Sequence, residues 1–473
     1  MLNGVGAVGF ARSRIGVLSI LVTLLLLLAW LRPIPPVDWH VPDGLRDALK
    51  QSPSTLAPAP TVVVHTDERP FVADPTQNDT VPWSSAAFLG GREPHRIVAL
   101  PRQAALDAAA PAESDLLFVF TTSFGRATSY AALWTHFLNA QSHCFVLLPP
   151  EDGAHQAELE THLREQAGVP CRVRVSSIEG YEARVGSVVR EAVGHAADVG
   201  HSYKWLIVGD DDTFWLDMRT VRRMLGRYDA RRDWFIGGVT EAEAQWGAFG
   251  RQAYGGAGII ISFPLVGQMA ARFEDCLKAV EGVWTGGDGV LTYCAALIEG
   301  VDHADVLTEA LGMHQMDVPG DGTGFFQSGL PFISVHHYID GWVDFVPKSW
   351  PESHSDDRKA IDIIGRSVRF LGGDNLFRRY IFDDGRTLLT SGYSISLFDE
   401  PLTADHLTKI EYTWSYDGYN MRFPQRPNIP EGNGKTTYYI LDIEDAGTSA
   451  QGRPQTRFTF AARDGRRIQL LWS

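Results

Sequence analysis

At 473 residues, 44% of them apolar and 11% aromatic, the chain exceeds the usual size of one domain, which predicts two folded units joined by linkers. A formal net charge of -15 excludes a nucleic-acid partner, because phosphate backbones are held by an excess of lysine and arginine. An anionic substrate would instead be held through a metal.

Ile15 to Leu31 is an uninterrupted apolar run preceded by Arg12 and Arg14 and closed by Arg32. As a helix it spans about 25 Å, enough for a thin early-secretory bilayer. The run is longer than a signal-peptide core, and Trp30-Leu31-Arg32-Pro33 lacks the small residues of a cleavage site. The arginine balance places the N-terminus in the cytoplasm. Residues 1–14 are thus expected to be a cytoplasmic tail and 15–31 the signal anchor of a type II, single-pass protein of the Golgi or ER membrane, with a lumenal body. Residues 32–113 hold thirteen of the 26 prolines and no cysteine, and read as a stem too poor in apolar periodicity to fold. The one glycosylation sequon, Asn78-Asp79-Thr80, lies there.

From Asp115 the texture changes. Leu116 to Thr122 reads as a first buried strand, with Phe124 to Arg126 as its exit loop and a helix through Tyr130 to Leu138. A strand at Cys144 to Leu148, an amphipathic helix at Ala157 to Gln166, a strand at Cys171 to Val175, a helix from Tyr181 to Ala197 and a strand at Lys204 to Val208 follow. Alternating strands and helices predict a largely parallel α/β sheet. Cys144, Cys171, Cys276 and Cys294 are either two disulfides, nearest neighbours paired, or small buried thiols.

The last of these strands runs through Gly209 into Asp210, Asp211 and Asp212. Ligands bind beyond the carboxyl ends of strands in open α/β sheets, and three adjacent carboxylates repel one another unless a cation offsets them. In an extended chain Asp210 and Asp212 share a face and Asp211 points away. The alternative is a solvated acidic turn.

Several motifs in order resemble the fringe-like β-1,3-glycosyltransferases, over about half the chain. They are Thr121-Thr122 with Arg126 and Trp134 eight residues later; the aspartate triplet; Tyr254-Gly255-Gly256-Ala257-Gly258 before the strand Ile259 to Ser262; and Gly287-Asp288-Gly289 leading to Tyr293-Cys294. The resemblance implies a GT-A fold, Rossmann-like with a mostly parallel sheet, over residues 114–370. It further implies a UDP-sugar donor, an Mn2+ or Mg2+ ion, a glycan or glycoprotein acceptor and a β-1,3 linkage. Asp212 falls on the metal position and Asp288 on the general base, although the family's preceding acid is replaced here by Gly287. Thr122, Arg126, Asp210, Asp211, Gly255, Gly256 and Gly258 fall at the donor pocket, with Asp210 and Asp211 expected on the ribose or supporting the metal. Asp317 and Asp321 are the next candidates for the base.

A histidine is expected as a further metal ligand. His314 and the pair His336-His337 are candidates; His336 follows a late strand as the family's metal histidine does, and in an extended strand only one of the pair could bind. Trp284 is either a sugar platform or core. Residues 371–473 alternate strand-like segments with Gly and Pro turns and read as a separate β-rich module outside the resemblance. Two other readings are open: a non-catalytic, lectin-like relative, or a metal-dependent phosphohydrolase.

Overall fold

The computed structural model describes residues 61–71, 81–82, 96–103, 109–337, 339, 341–350, 357–414, 420–448, 452 and 454–472. The expected anchor at 15–31 and Asn78 lie outside the described residues. Among those described, no helix is long and apolar enough to cross a membrane.

A seven-stranded sheet holds the centre. Its order is Thr308–Glu309, Phe235–Gly237, Ile259–Ser262, Trp205–Gly209, Leu116–Thr121, His143–Leu148 and Arg172–Val175. The last four strands are mutually parallel, as alternation with helices requires. Ile259–Ser262 runs antiparallel to both neighbours, so the sheet is mixed. Both faces are covered. Leu116, Phe118, Phe120, Val146 and Ile207 belong to one apolar cluster, whereas Leu117, Val119, Phe145, Leu147 and Val208 belong to another. This is why these strands read as unbroken apolar runs, each such side chain contributing about 1.5–3 kcal/mol on leaving water.

Several elements depart from the sequence reading. The first helix is Phe124–Trp134, starting where an exit loop was expected, because Ser123 caps it by accepting the Arg126 N–H. The helix expected over Tyr181 to Ala197 is two helices, Tyr181–Gly186 and Val188–Val199. The first of these lies so close to the helix Gly287–Glu299 that a Cβ on Gly186 would stand 2.4 Å from Val290, and one on Gly287 2.4 Å from Val185. Both cysteine pairs form disulfides, Cys144 with Cys171 and Cys276 with Cys294.

The C-terminal part is β-rich, but it is not built from residues 371–473 alone. Its nine-stranded sheet runs Val81–Pro82, Arg379–Phe382, Thr387–Thr390, Ser394–Phe398, Lys435–Thr448, Pro454–Ala462, Arg467–Trp472, Thr61–Phe71 and Arg96–Gln103. Three of these strands come from the segment read as an unfolded stem. Thr61–Phe71 pairs in parallel with Arg467–Trp472, and Arg96–Gln103 adds to its other side. A proline-rich segment that cannot fold alone can still pair with an existing sheet, and the edge strand tolerates Pro101. Nor is there a core boundary near residue 370, since Tyr380, Leu389, Tyr438, Phe458 and Trp472 share the apolar cluster of Leu116 and Phe118.

Candidate active site

The central strand Trp205–Gly209 ends in a turn closed by the Thr213 N–H donating to the Asp210 carbonyl at 3.0 Å. Thr213 Oγ1 accepts the Asp210 N–H at 2.9 Å and donates to the Gly256 carbonyl at 3.0 Å. Trp134 Nε1 donates to the Asp211 carbonyl at 2.9 Å. Three carboxylates are thereby aimed by a pinned turn rather than by strand alternation, with the same result: Asp210 and Asp212 face one way and Asp211 the other.

Asp211 is taken up internally. Arg126 grips it with Nε at 2.7 Å and Nη2 at 2.5 Å, and the Thr122 hydroxyl donates to it as well. Buried in this fork, Asp211 has both carboxylate oxygens engaged within the chain. Thr122 serves to hold Asp211. Arg126 keeps half its side chain exposed, with its guanidinium also 3.8 Å from Asp212.

His336 arrives by a second route. The short strand Ser334–Val335 pairs antiparallel with Phe214–Trp215, Val335 opposite Phe214, so the next residues on the two segments are His336 and Thr213. His336 Nε2 lies 3.1 Å from Asp212 Oδ1 and 3.5 Å from Asp210 Oδ2. Its Nδ1 donates to the Gln315 carbonyl at 3.2 Å, which orients the ring and leaves Nε2 to the carboxylates. Burial alone would lower the His336 pKa, but the Asp212 carboxylate, with Asp210 behind it, lifts it to about 9. Burial correspondingly opposes ionisation of Asp212, and His336 outweighs it, holding Asp212 below the usual carboxylate range. Burial and the neighbouring carboxylates push Asp210 up to about 6 against the pull of His336.

His337 joins the same cluster, contrary to the expectation that only one of the pair could face it. The chain is extended only to Val335, and His337 has φ 59°, a left-handed conformation that turns its ring back beside that of His336, centroids 3.8 Å apart. One ligating atom from each of Asp212, His336 and His337 lies within 4.8 Å of the others. Two imidazole nitrogens and a carboxylate oxygen, with Asp210 adjacent, form a donor set that could hold a divalent metal ion. His314 is elsewhere: buried, its ring nitrogens meet Glu241 at 3.0 Å and the Pro331 carbonyl at 2.7 Å.

The glycine segment is the floor between these groups. A Cβ on Gly256 would stand 2.1 Å from His336 Nδ1, and Gly258 has φ +91° with its Cβ position 2.6 Å from the Trp215 ring. Gly255 carries no side chain between Asp210 and Asp288, and its N–H donates to Asp288 Oδ2 at 3.0 Å. Asp288 lies in the first turn of Gly287–Glu299, with Oδ1 accepting the Gly289 N–H at 2.8 Å; Gly286 is the residue at the cap position. Burial pushes the Asp288 pKa up, against those backbone donors. Of the alternatives for the base, Asp317 is buried, accepts from Thr240 and lies 3.9 Å from His337 Nε2 on the side of the cluster, whereas Asp321 accepts the Thr323 N–H at 2.9 Å. Gly287 is explained by packing, since any side chain there would strike Val185.

Sequence reasoning offered His337 only as an alternative to His336, and missed the Gln315 backbone carbonyl. The only available signal was the Met313-His314-Gln315 segment, which drew attention to its histidine rather than to the glutamine carbonyl.

Residues 161–308 match the model of a family described as Fringe-like, and residues 246–458 that of a family described as a protein of unknown function, DUF604. The chain carries a fringe-like glycosyltransferase domain. The Fringe-like match takes in Asp210 to Asp212, Gly255 to Gly258 and Asp288; His336 and His337 fall within the second match, and Thr122 and Arg126 precede both. The parallel strands, with the acidic turn at their carboxyl end, make this an α/β fold with a β-rich C-terminal part. No curated protein matches the chain. Similar solved structures include the galactosyltransferase LgtC in complex with donor and acceptor sugar analogs, 12% identical, covering 53% of this chain and 95% of that one with a TM-score of 0.31. Mouse xyloside xylosyltransferase 1 is 11% identical, covering 49% and 99%, with a TM-score of 0.29. For the glycosyltransferase GlyE of Streptococcus pneumoniae the identity is 12%, with 41% of this chain aligned and a TM-score of 0.26, and the chain spans only 44% of GlyE's length. At those scores these likenesses bear on neither the fold nor the activity of this chain.

Proposed function

We propose that this chain transfers a sugar from a UDP-sugar to a hydroxyl of a glycan or glycoprotein, with inversion and in a β-1,3 linkage, using a divalent metal. The observation that carries this reading is the convergence of Asp212, His336 and His337 beside Asp210 at the end of the central strand, with Asp288 held across Gly255.

Asp212, His336 and His337 would hold Mn2+ or Mg2+, which when bound neutralises the diphosphate of the donor. Gln315 keeps His336 in the tautomer this needs. Asp288, its pKa raised, takes the proton from the acceptor hydroxyl as that oxygen bonds to the anomeric carbon. The bond from that carbon to the UDP oxygen breaks, its electron pair leaves with UDP, and attack from the opposite face inverts the centre. Arg126, anchored by Asp211 but half exposed, is placed to meet a phosphate. Two disulfides accord with an oxidising compartment, and the proposed location is the lumen of the Golgi or ER behind a type II anchor.

The test is UDP release by the purified chain with Mn2+ and a panel of UDP-sugars, with and without glycan acceptors. Acceptor-dependent release supports the reading. Nucleotide binding without release would leave a lectin-like protein, and phosphate-ester hydrolysis without transfer would indicate a phosphohydrolase.

A further inference from the structure

Trp284, four residues before Asp288 in sequence, has 77% of its surface exposed, more than any other large apolar side chain among the described residues. Its ring rests against Phe249, centroids 4.8 Å apart. Phe249 ends the helix Glu243–Phe249, which Tyr254 ties to the site: its hydroxyl donates to the carbonyls of Gln245 and Gly250 at 3.3 Å each. The residue after Tyr254 is Gly255, whose N–H holds Asp288. From the other side, Trp284 lies in the loop that leads into the helix bearing Asp288, and Asp288 Oδ1 folds back to 2.7 Å from where a Cβ on Gly286 would stand. The exposed indole is therefore linked to the carboxylate that receives the acceptor's proton by two short routes, the loop before its helix and the Phe249–Gly255 segment.

An indole face is apolar yet carries a negative quadrupole, which complements the polarised C–H groups on one face of a pyranose ring. We propose that Trp284, backed by Phe249, is a subsite for a pyranose ring of the acceptor glycan, stacking on its C–H face so that a hydroxyl is presented to Asp288. This deepens the transfer reading and rests on it.

The test separates the two. Saturation-transfer NMR of the full chain with UDP and Mn2+ is run against the methyl pyranosides of glucose, galactose, mannose and the N-acetylhexosamines, beside calorimetry of UDP. The expected result is that at least one pyranoside receives transfer at its ring C–H protons. Trp284→Ala should weaken that binding by about tenfold, the scale of losing one buried aromatic face. UDP affinity should be unchanged, and Trp284→Phe should recover most of the loss. No pyranoside bound by the wild type, binding by Trp284→Ala equal to wild type, or parallel loss of UDP and pyranoside in Trp284→Ala would each overturn the subsite. Absence of metal-dependent UDP binding in the wild type would instead break the transfer reading.

Discussion

Asp212 and Asp288 are both acidic side chains at the same site, yet their surroundings push them in opposite directions. Asp212 faces a buried imidazole and, farther off, the Arg126 guanidinium, and its pKa is held down. Asp288 accepts from the backbone N–H groups of Gly255 and Gly289, with His336 farther off; together these do not outweigh burial, and its pKa is raised. A carboxylate that stays ionised suits a cation; one that ionises less readily is the better proton acceptor once ionised. Divergent environments of this kind are how one fold assigns different roles to like residues.

The comparison breaks first at Asp212. Asp212→Asn should abolish metal-dependent UDP binding and transfer together, because it removes a ligand charge from the cluster; calorimetry of UDP with and without Mn2+ checks this. Normal metal-dependent affinity would place the ion elsewhere.

Asp288→Asn should leave UDP and metal affinity nearly intact while lowering kcat about a hundredfold, the usual scale for a lost general base. The amide preserves the shape of the loop but does not take up the acceptor's proton. Turnover within a few fold of wild type would move the base from Asp288.

His336 sharpens the contrast through pH. Its pKa in the folded, metal-free chain is about 9 against an ordinary 6.5, so its ion pair stabilises the metal-free protein fully below about 6.5 and is lost as pH rises through 9. Metal needs the unprotonated nitrogen, so Mn2+ affinity should rise with pH over the same window, by up to about tenfold per unit. Titrations at three pH values between about 6.5 and 8.5 read this slope. An affinity flat across that range would show that His336 is not a ligand.

The smallest effect is expected at Gly287→Asp, which restores the acid of the resembled family. The new side chain meets Val185, so stability should fall by about 1–3 kcal/mol with no gain in turnover, read from a denaturant melt and the transfer assay. Increased turnover at unchanged stability would show that the missing acid, rather than packing, limits this enzyme.

The sequence by itself determined the parallel core and the position of its chemistry, because strands buried on both faces are written as apolar runs and ligand-binding groups follow at their carboxyl ends. Leu116 to Thr121, Trp205 to Gly209 and the aspartates after it were legible on that ground, whereas Asp288 stands out through the family resemblance and the cysteines read either as neighbouring disulfides or as buried thiols. Tertiary structure alone decided which groups meet. His337 joins His336 because one residue takes a left-handed φ, which no periodicity encodes. Asp211 is engaged by an arginine 85 residues away. Thr61–Phe71 and Arg96–Gln103, unpromising as a proline-rich segment, become strands by pairing with a sheet most of whose strands lie hundreds of residues later. Local pattern reports what a segment buries by itself; a ligand set or an edge strand depends on partners distant in sequence, and only the packed chain supplies them.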